Sequence, residues 1–287
     1  MEVLVRDIVY AARQFRRAPL LTGAILATLA VTIGANTLLF TIANAAIFRA
    51  LPYPDARRLV SVSVVQKDRD VERMDEPTAR LAAGGLTGFE SFALYNPAAA
   101  TFLGGDYPER VTGARVSESF FHVLGAAPAL GRTFGGDDLR TGGPNVVMLS
   151  DAVWTRRFGR RAGVVGERMA LDDGAYEVVG VMPPGFAFPS TSEFWVPLRP
   201  RPITGGGMYY VDVIARLRPR VSLEQAGSTL AALRESRKQD LPAAALSTGI
   251  RVMPLHERLY GSFTRPLILL LAAVGCVLLI GLSLIHI

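Results

Sequence analysis

The amino-acid sequence predicts a membrane protein in which two transmembrane α-helices flank an α+β domain outside the cytoplasm. Three observations carry that prediction. Residues 18–48 contain no charged side chain over roughly 31 positions, where about 20 apolar residues suffice to span a bilayer. From Pro266 to the C-terminus the chain is again free of Asp, Glu, Lys and Arg, with apolar runs at 267–271 and 277–280. Between them lie about 215 residues, enough to bury a core of their own. Either apolar run alone could be a buried globular helix, but two that bracket a polar middle argue for spans.

The elements follow in chain order. At 100° per residue Leu4, Ile8, Ala11 and Phe15 share one face of an N-terminal helix, with Arg6, Arg13 and Arg17 opposite. Residues 1–17 therefore read as a cytoplasmic amphipathic helix on the inner membrane surface, although an ordinary solvated basic flank has the same composition. Residues 18–50 read as the first transmembrane helix prolonged into a stalk. A cleaved signal peptide is the alternative, given Ala43-Asn44-Ala45, but its apolar region is only about 7–15 residues. As a helix the charge-free run is roughly 46 Å long, against a hydrocarbon core of about 30 Å. Thr37, Thr41 and Asn44 fall on one face of it, so this stripe is expected to pack on another helix or leave the membrane as a stalk. Arg6, Arg13, Arg16 and Arg17 before the span against Arg49, Arg57 and Arg58 after it favour a cytoplasmic N-terminus.

Residues 51–265 form the outer domain and 266–287 a second, truncated transmembrane helix. In the domain, 58–65 alternates as a half-buried strand, and 145–149, 176–182 and 210–217 are further strands. One helix is expected after Ser117, ending at Gly125, and another after Ser150, ending at Gly159. A third opens with the capping box Ser222-Leu223-Glu224-Gln225 and runs towards Lys238.

Composition removes several function classes. A single cysteine, Cys276, excludes a disulfide framework or thiolate metal cluster, and His122, His256 and His286 have no zinc-like spacing. Neither lysine, Lys67 or Lys238, follows a glycine, so the chain carries no phosphate-binding loop. Asp137-Asp138 and Asp172-Asp173 adjoin glycines and read as turn residues rather than a cation site. Arg156, Arg157, Arg160 and Arg161 make two basic pairs, read as a solvated helix face, with a phosphate or anionic-lipid contact as the alternative. Other arginines are scattered, and nucleic acid is not an expected partner. No catalytic, cofactor-binding or metal-binding residue is assigned, no cofactor is expected, and the chain does not read as an enzyme.

An ordered series of motifs resembles the MacB/FtsX-like ABC transporter permeases, in particular the long duplicated forms with a MacB-like periplasmic core domain. It begins with Arg6-Asp7-Ile8 to Pro19, Ile33-Gly34-Ala35-Asn36-Thr37 and Leu51-Pro52-Tyr53-Pro54-Asp55. It continues with Val116-Ser117, Phe120-Phe121-His122-Val123-Leu124-Gly125, Pro128, Leu130-Gly131-Arg132, Leu149-Ser150, Trp154 and Arg157-Phe158-Gly159. It closes with Gly180-Val181-Met182-Pro183, Phe188-Pro189, Val213-Ile214-Ala215-Arg216-Leu217 and Gln225-Ala226.

The resemblance implies a multi-pass protein of the bacterial inner membrane working in export, efflux or mechanotransmission. It implies a cytoplasmic ABC ATPase that binds ATP, and a second permease half or copy. Leu4, Ile8, Arg13, Phe15 and Arg17 would then face the ATPase or the inner membrane surface. Arg220 after Pro219 stands where the family usually has glycine, and residues 282–287 do not read like the family. The chain is therefore expected to be an N-terminal fragment of a longer permease. The competing readings are a two-span extracytoplasmic ligand sensor or a membrane-anchored binding domain, which lack a signalling module, and an anchored enzyme, which lacks a catalytic constellation.

Overall fold

The computed structural model describes residues 19–43, 51–66, 69–71, 73–85, 88–103, 107–172, 174–200, 209–241 and 249–286. The chain divides into two units, Met1–Ala50 with Glu257–Ile287, and Leu51–His256.

In the first unit, α1 spans Pro19–Ala43. Leu20, Leu26, Val31, Ile33, Leu38 and Phe40 all lie exposed along it. The last helix, α7 (Leu255–His286), contains Pro266. It bends by 50° between the segments Leu255–Ser262 and Thr264–Cys276. Proline removes the bond to the carbonyl four residues back, that of Ser262, and its ring crowds that carbonyl, so the bend falls where it should. Among the described residues no single helix is long and apolar enough to cross a membrane, whereas this bent pair passes as a broken span by length and composition.

The second unit is built on a 12-stranded mixed sheet. Its strands are β1 (Leu59–Gln66), β2 (Arg69–Val71), β3 (Met74–Asp75), β4 (Phe89–Phe102), β5 (Glu109–Val116) and β6 (Leu130–Gly131), followed by β7 (Val146–Leu149), β8 (Arg168–Leu171), β9 (Gly174–Val181), β10 (Phe194–Pro197), β11 (Tyr210–Leu217) and β12 (Gly249–Pro254). The main path runs β12-β1-β11-β4-β5-β10-β7-β9-β6, with β2, β3 and β8 pairing to its side.

Two apolar cores share this sheet. The first gathers Val60, Val62, Phe89, Phe92, Val213 and Leu230, where α2 (Glu76–Gly84) and α6 (Leu223–Ser236) pack on β1, β4 and β11. The second gathers Phe102, Val147, Leu149, Trp154, Val178 and Phe194 around α5 (Asp151–Phe158). The 14-residue β4 belongs to both: it pairs with β11 up to Tyr95 and with β5 from Tyr95 to Phe102.

The helix ends follow the local chemistry. Ser150 Oγ accepts the Val153 amide and Gly159 closes α5 in the left-handed region. Ser222 and Gln225 exchange both bonds of a capping box, and α6 ends at Ser236 with a 3₁₀ turn at Lys238–Asp240. The helix expected after Ser117 is shorter: α3 covers Phe120–Leu124 without a side-chain cap, because Ser117 Oγ takes the Leu94 amide and Ser119 Oγ donates to the Phe92 carbonyl. The strand expected to be half-buried is buried on both faces, with Ser61 and Ser63 only 5% and 4% exposed. Its alternation still holds, since Ser61 offsets its burial by donating to the Val213 carbonyl.

Candidate functional site

The chain enters and leaves the second unit side by side. β1 and β12 are antiparallel neighbours in a register from Val60↔Pro254 to Val65↔Gly249. The outgoing side has no linker: Pro254 ends β12, and Leu255, fully buried, opens α7.

The incoming side is a clamp made by residues 51–58. Leu51 is buried, and the Tyr53 ring meets Phe186 and Phe188 edge-on, with centroids 6.3 Å away in both cases. Asp55 sits at φ 48° and starts the 3₁₀ turn Ala56–Arg58. Arg58 Nε donates to the Leu217 carbonyl at 2.9 Å, and its guanidinium pairs with Glu90 and, at 3.6 Å, with Asp55. This segment therefore grips β11 and β4 of the first core and the aromatic wall beside the second.

Arg216 is the centre of the clamp. It is 6% exposed, yet its bonds go to neutral carbonyls: Nε to Val123 at 3.0 Å and Nη1 to Pro54 at 2.8 Å. Its Nη2 has no hydrogen-bond partner among the described residues. Burial, followed by the field of Arg58, pushes its pKa below the usual arginine value, with Asp55 opposing. Gly125 ends α3 at φ 66°, and a side chain there would meet the Pro54 ring at 3.2 Å and Arg216 Nη2 at 3.6 Å. Only glycine combines that backbone with that clearance.

Behind the clamp stands a block of rings. Phe188 stacks on Phe120 and meets Tyr95, while Phe186 and Phe121 both meet Trp195. Trp195 Nε1 donates to the Phe188 carbonyl at 2.8 Å, which ties the loop after β9 to β10. Each ring pair adds about 0.5–1.5 kcal/mol beyond its burial, so the block resists shear. The motifs around Tyr53, Phe120, Gly125, Phe188 and Arg216, scattered over the sequence, thus meet in one place.

Other sequence candidates resolve differently. The basic pairs of α5 are neutralised: Arg156 contacts Glu109 and Glu193 at 2.6 and 2.9 Å, Arg160 contacts Asp151 at 2.9 Å, and Arg161 contacts Glu167 at 3.2 Å. Arg157 lies 5.3 Å over the Phe102 ring and 3.9 Å from Glu109. Burial works against the charge on Arg156, but the bonds and fields of Glu193 and Glu109 outweigh it and raise its pKa. These arginines are therefore already partnered. Asp138 accepts the Gly135 amide at 2.9 Å and pairs with Arg132 at 2.5 Å, so it caps the short α4 (Gly136–Leu139). Burial opposes its ionisation, but the Arg132 and Gly135 bonds prevail and hold its carboxyl below the usual range. Among the described residues no group of three or more His, Cys, Asp or Glu could hold a metal ion.

Thr37 and Thr41 lie exposed on α1, and Thr41 Oγ1 donates to the Thr37 carbonyl at 2.7 Å. That hydroxyl is satisfied within its own helix, as is Thr32 by the Thr28 carbonyl. Asn44 and the N-terminal Leu4, Ile8, Arg13, Phe15 and Arg17 lie outside the described residues. Arg220 stands at φ 68°, a left-handed position that explains why glycine would be at home there.

Comparison with known proteins matches the domain to a family profile and to solved structures of similar fold. The profile of the MacB-like periplasmic core domain matches residues 22–233, well over half of the 287-residue chain. The fold is similar to the periplasmic region of MacB from Actinobacillus actinomycetemcomitans, with 15% identity, 72% of this chain and 93% of that one covered, and a TM-score of 0.54. It is similar to a domain assigned to a permease of Porphyromonas gingivalis, at 18% identity, 70% and 92% coverage and a TM-score of 0.54. It is also similar to the extracellular domain of the noncanonic ABC-type transporter YknZ from Gram-positive bacteria, at 16% identity, 68% and 99% coverage and a TM-score of 0.51. No curated protein sequence matches it. The chain belongs to the MacB-like periplasmic core domain family, that of the MacB/FtsX-like permeases, whose members are transporter components rather than classical enzymes.

Proposed function

We propose that the chain is the permease subunit of an ABC-type export or mechanotransmission system, coupling a cytoplasmic ATPase to its outer domain. Residues 18–50 and 266–287 cross the inner membrane, the N-terminus is cytoplasmic, and 51–265 stand outside. The bare apolar side chains of α1 and of α7, such as Ile268, Leu269 and Leu279, support spans, because lipid would cover them. The ATPase is a separate or fused partner and binds the ATP. A second permease half or copy completes the assembly, and the N-terminal face with Leu4, Ile8, Arg13, Phe15 and Arg17 meets the ATPase or lipid. Thr37, Thr41 and Asn44 make the helix-packing stripe.

The observation that carries this reading is the adjacency of the incoming and outgoing strands. A relative shift of the flanking helices is delivered to two hydrogen-bonded neighbours, β1 and β12, and through the Arg216 clamp to both cores.

The test uses the chain with its ATPase in nanodiscs. Hydrogen exchange over residues 51–256 is compared without nucleotide and with ATP bound to a hydrolysis-deficient ATPase. We expect nucleotide-dependent protection around the clamp. Asn36→Pro, which breaks α1 at a cost of about 3 kcal/mol, should erase that difference while the wild-type ATPase still turns over. Identical protection with and without ATP would reject the coupling.

A further inference from the structure

One charged side chain is unexplained by the clamp or the cores. Among the described residues whose burial is known, every other buried or half-buried arginine has a hydrogen bond, ion pair or comparable contact. Arg58, Arg73, Arg157, Arg199 and Arg216 have named partners, and Arg234 and Arg258 are engaged as well. Arg115, half-buried on β5, has none. Its guanidinium nitrogens are not among the buried polar atoms that lack a partner, so they stay open to water and to a ligand.

Arg115 lines a cavity of about 250 Å³ bounded by β4, β5, β10 and the β8–β9 hairpin. Ala98 and Ala100 give the floor its room, because larger side chains at these positions would fill it. Phe194, Val196 and Leu171 supply apolar wall, and Tyr176 stands beside them. Asp172, exposed, is the remaining charged group at the rim, and it makes no ion pair with Arg115. Another cavity, about 380 Å³ between Ser150, Phe186 and Glu193, differs in that its carboxylates are already neutralised, Asp151 by Arg160 and Glu193 by Arg156.

We infer that the Arg115 cavity binds a small monoanionic amphiphile, an aryl or short alkyl carboxylate, with its charge on the guanidinium and its apolar body over Ala98, Ala100 and Phe194. A planar guanidinium matches a carboxylate with two parallel bonds. The volume lies below the roughly 300–1,000 Å³ of drug-sized sites, which keeps the ligand small. Asp172 repels a second negative charge, which selects a monoanion. This site stands apart from the clamp and does not depend on the coupling proposed above.

The probe is 4-(trifluoromethyl)benzoate, followed by ¹⁹F NMR on the full chain in nanodiscs, with empty nanodiscs as the blank and 4-(trifluoromethyl)benzamide as the neutral analogue. We expect saturable binding of the acid, at least tenfold weaker binding of the amide, and a loss of tenfold or more in Arg115→Gln. Arg115→Lys should retain part of the affinity, Ala98→Leu should abolish it by filling the floor, and Asp172→Asn should strengthen it severalfold. Thermal melting of each variant separates loss of the site from loss of the fold. Equal binding of acid and amide, undiminished binding by a folded Arg115→Gln, or no binding above the blank would each overturn the assignment.

Discussion

The two ends of the outer domain are attached by opposite means. The incoming segment is locked by a buried guanidinium, ring contacts with the aromatic wall and the Arg58 bonds to β11 and β4. The outgoing β12 is an edge strand on the main path of the sheet, without one fully buried residue, and its ladder is with β1 alone. Yet it is the outgoing side that runs into its helix without a break. One end is thus held against the cores by side-chain contacts, while the other is joined to its helix by the shortest possible covalent path. Edge strands open at lower free energy than central ones, so the domain has a firm side and a yielding side.

The sharpest way to break that contrast is Arg216→Ala. It leaves the buried Val123 carbonyl and the part-buried Pro54 carbonyl without their donor, a loss of about 2–4 kcal/mol. Val252→Ala on half-buried β12 should cost about 1 kcal/mol or less. Urea midpoints of the two variants measure the difference, and similar losses would remove the distinction between the ends. Gly125→Val comes next: the left-handed backbone and the approach to Pro54 together should cost about 2–3 kcal/mol and loosen the clamp. Proteolysis near residue 54 would report that loosening directly.

A smaller effect of opposite sign sharpens the comparison outside the clamp. Arg220→Gly relieves the positive φ and should stabilise the domain by about 1 kcal/mol, read as a rise in melting temperature. The smallest concerns pH. The folded-state pKa of Asp138 is depressed, so its contribution is present above the unfolded carboxylate pKa, near 3.9, and is lost as pH falls through the folded value. Asp138→Asn should therefore lower stability at pH 7 and flatten its decline below about pH 4, in urea titrations at both values.

Much of this fold is legible in one dimension. β1, β7, β9 and β11 announce themselves by apolar alternation or runs, and α5 and α6 by serine caps followed by a glycine stop or a capping box. The long β4 carries Asn96-Pro97 in its middle, a dipeptide that favours turns. The structure seats Pro97 just past the last β4–β11 pair, where that edge has left the β11 ladder. The four residues of β10 are too few to show a period. Ser117 misleads as a cap because its hydroxyl serves the neighbouring strand. Of the clamp, Arg216 did leave a signal, a lone charge inside the apolar run Val213-Ile214-Ala215-Arg216-Leu217. What sequence could not supply was its partners, since Pro54 and Val123 lie 162 and 93 residues away. Arg115 left no signal: on an alternating strand it looks like any solvated arginine, and only the absence of partners around it sets it apart.

The choice of carbonyls rather than a carboxylate around Arg216 has a further consequence. Neither partner of its two hydrogen bonds can gain or lose a proton anywhere near neutral pH, and a side chain only 6% exposed is scarcely screened by salt. The exposed Arg58 pairs with Glu90 and Asp55 weaken in acid and in salt, whereas these two hydrogen bonds keep their strength as pH and salt vary around neutral conditions. Such indifference suits a part that works where the medium, and not the cell, sets the conditions.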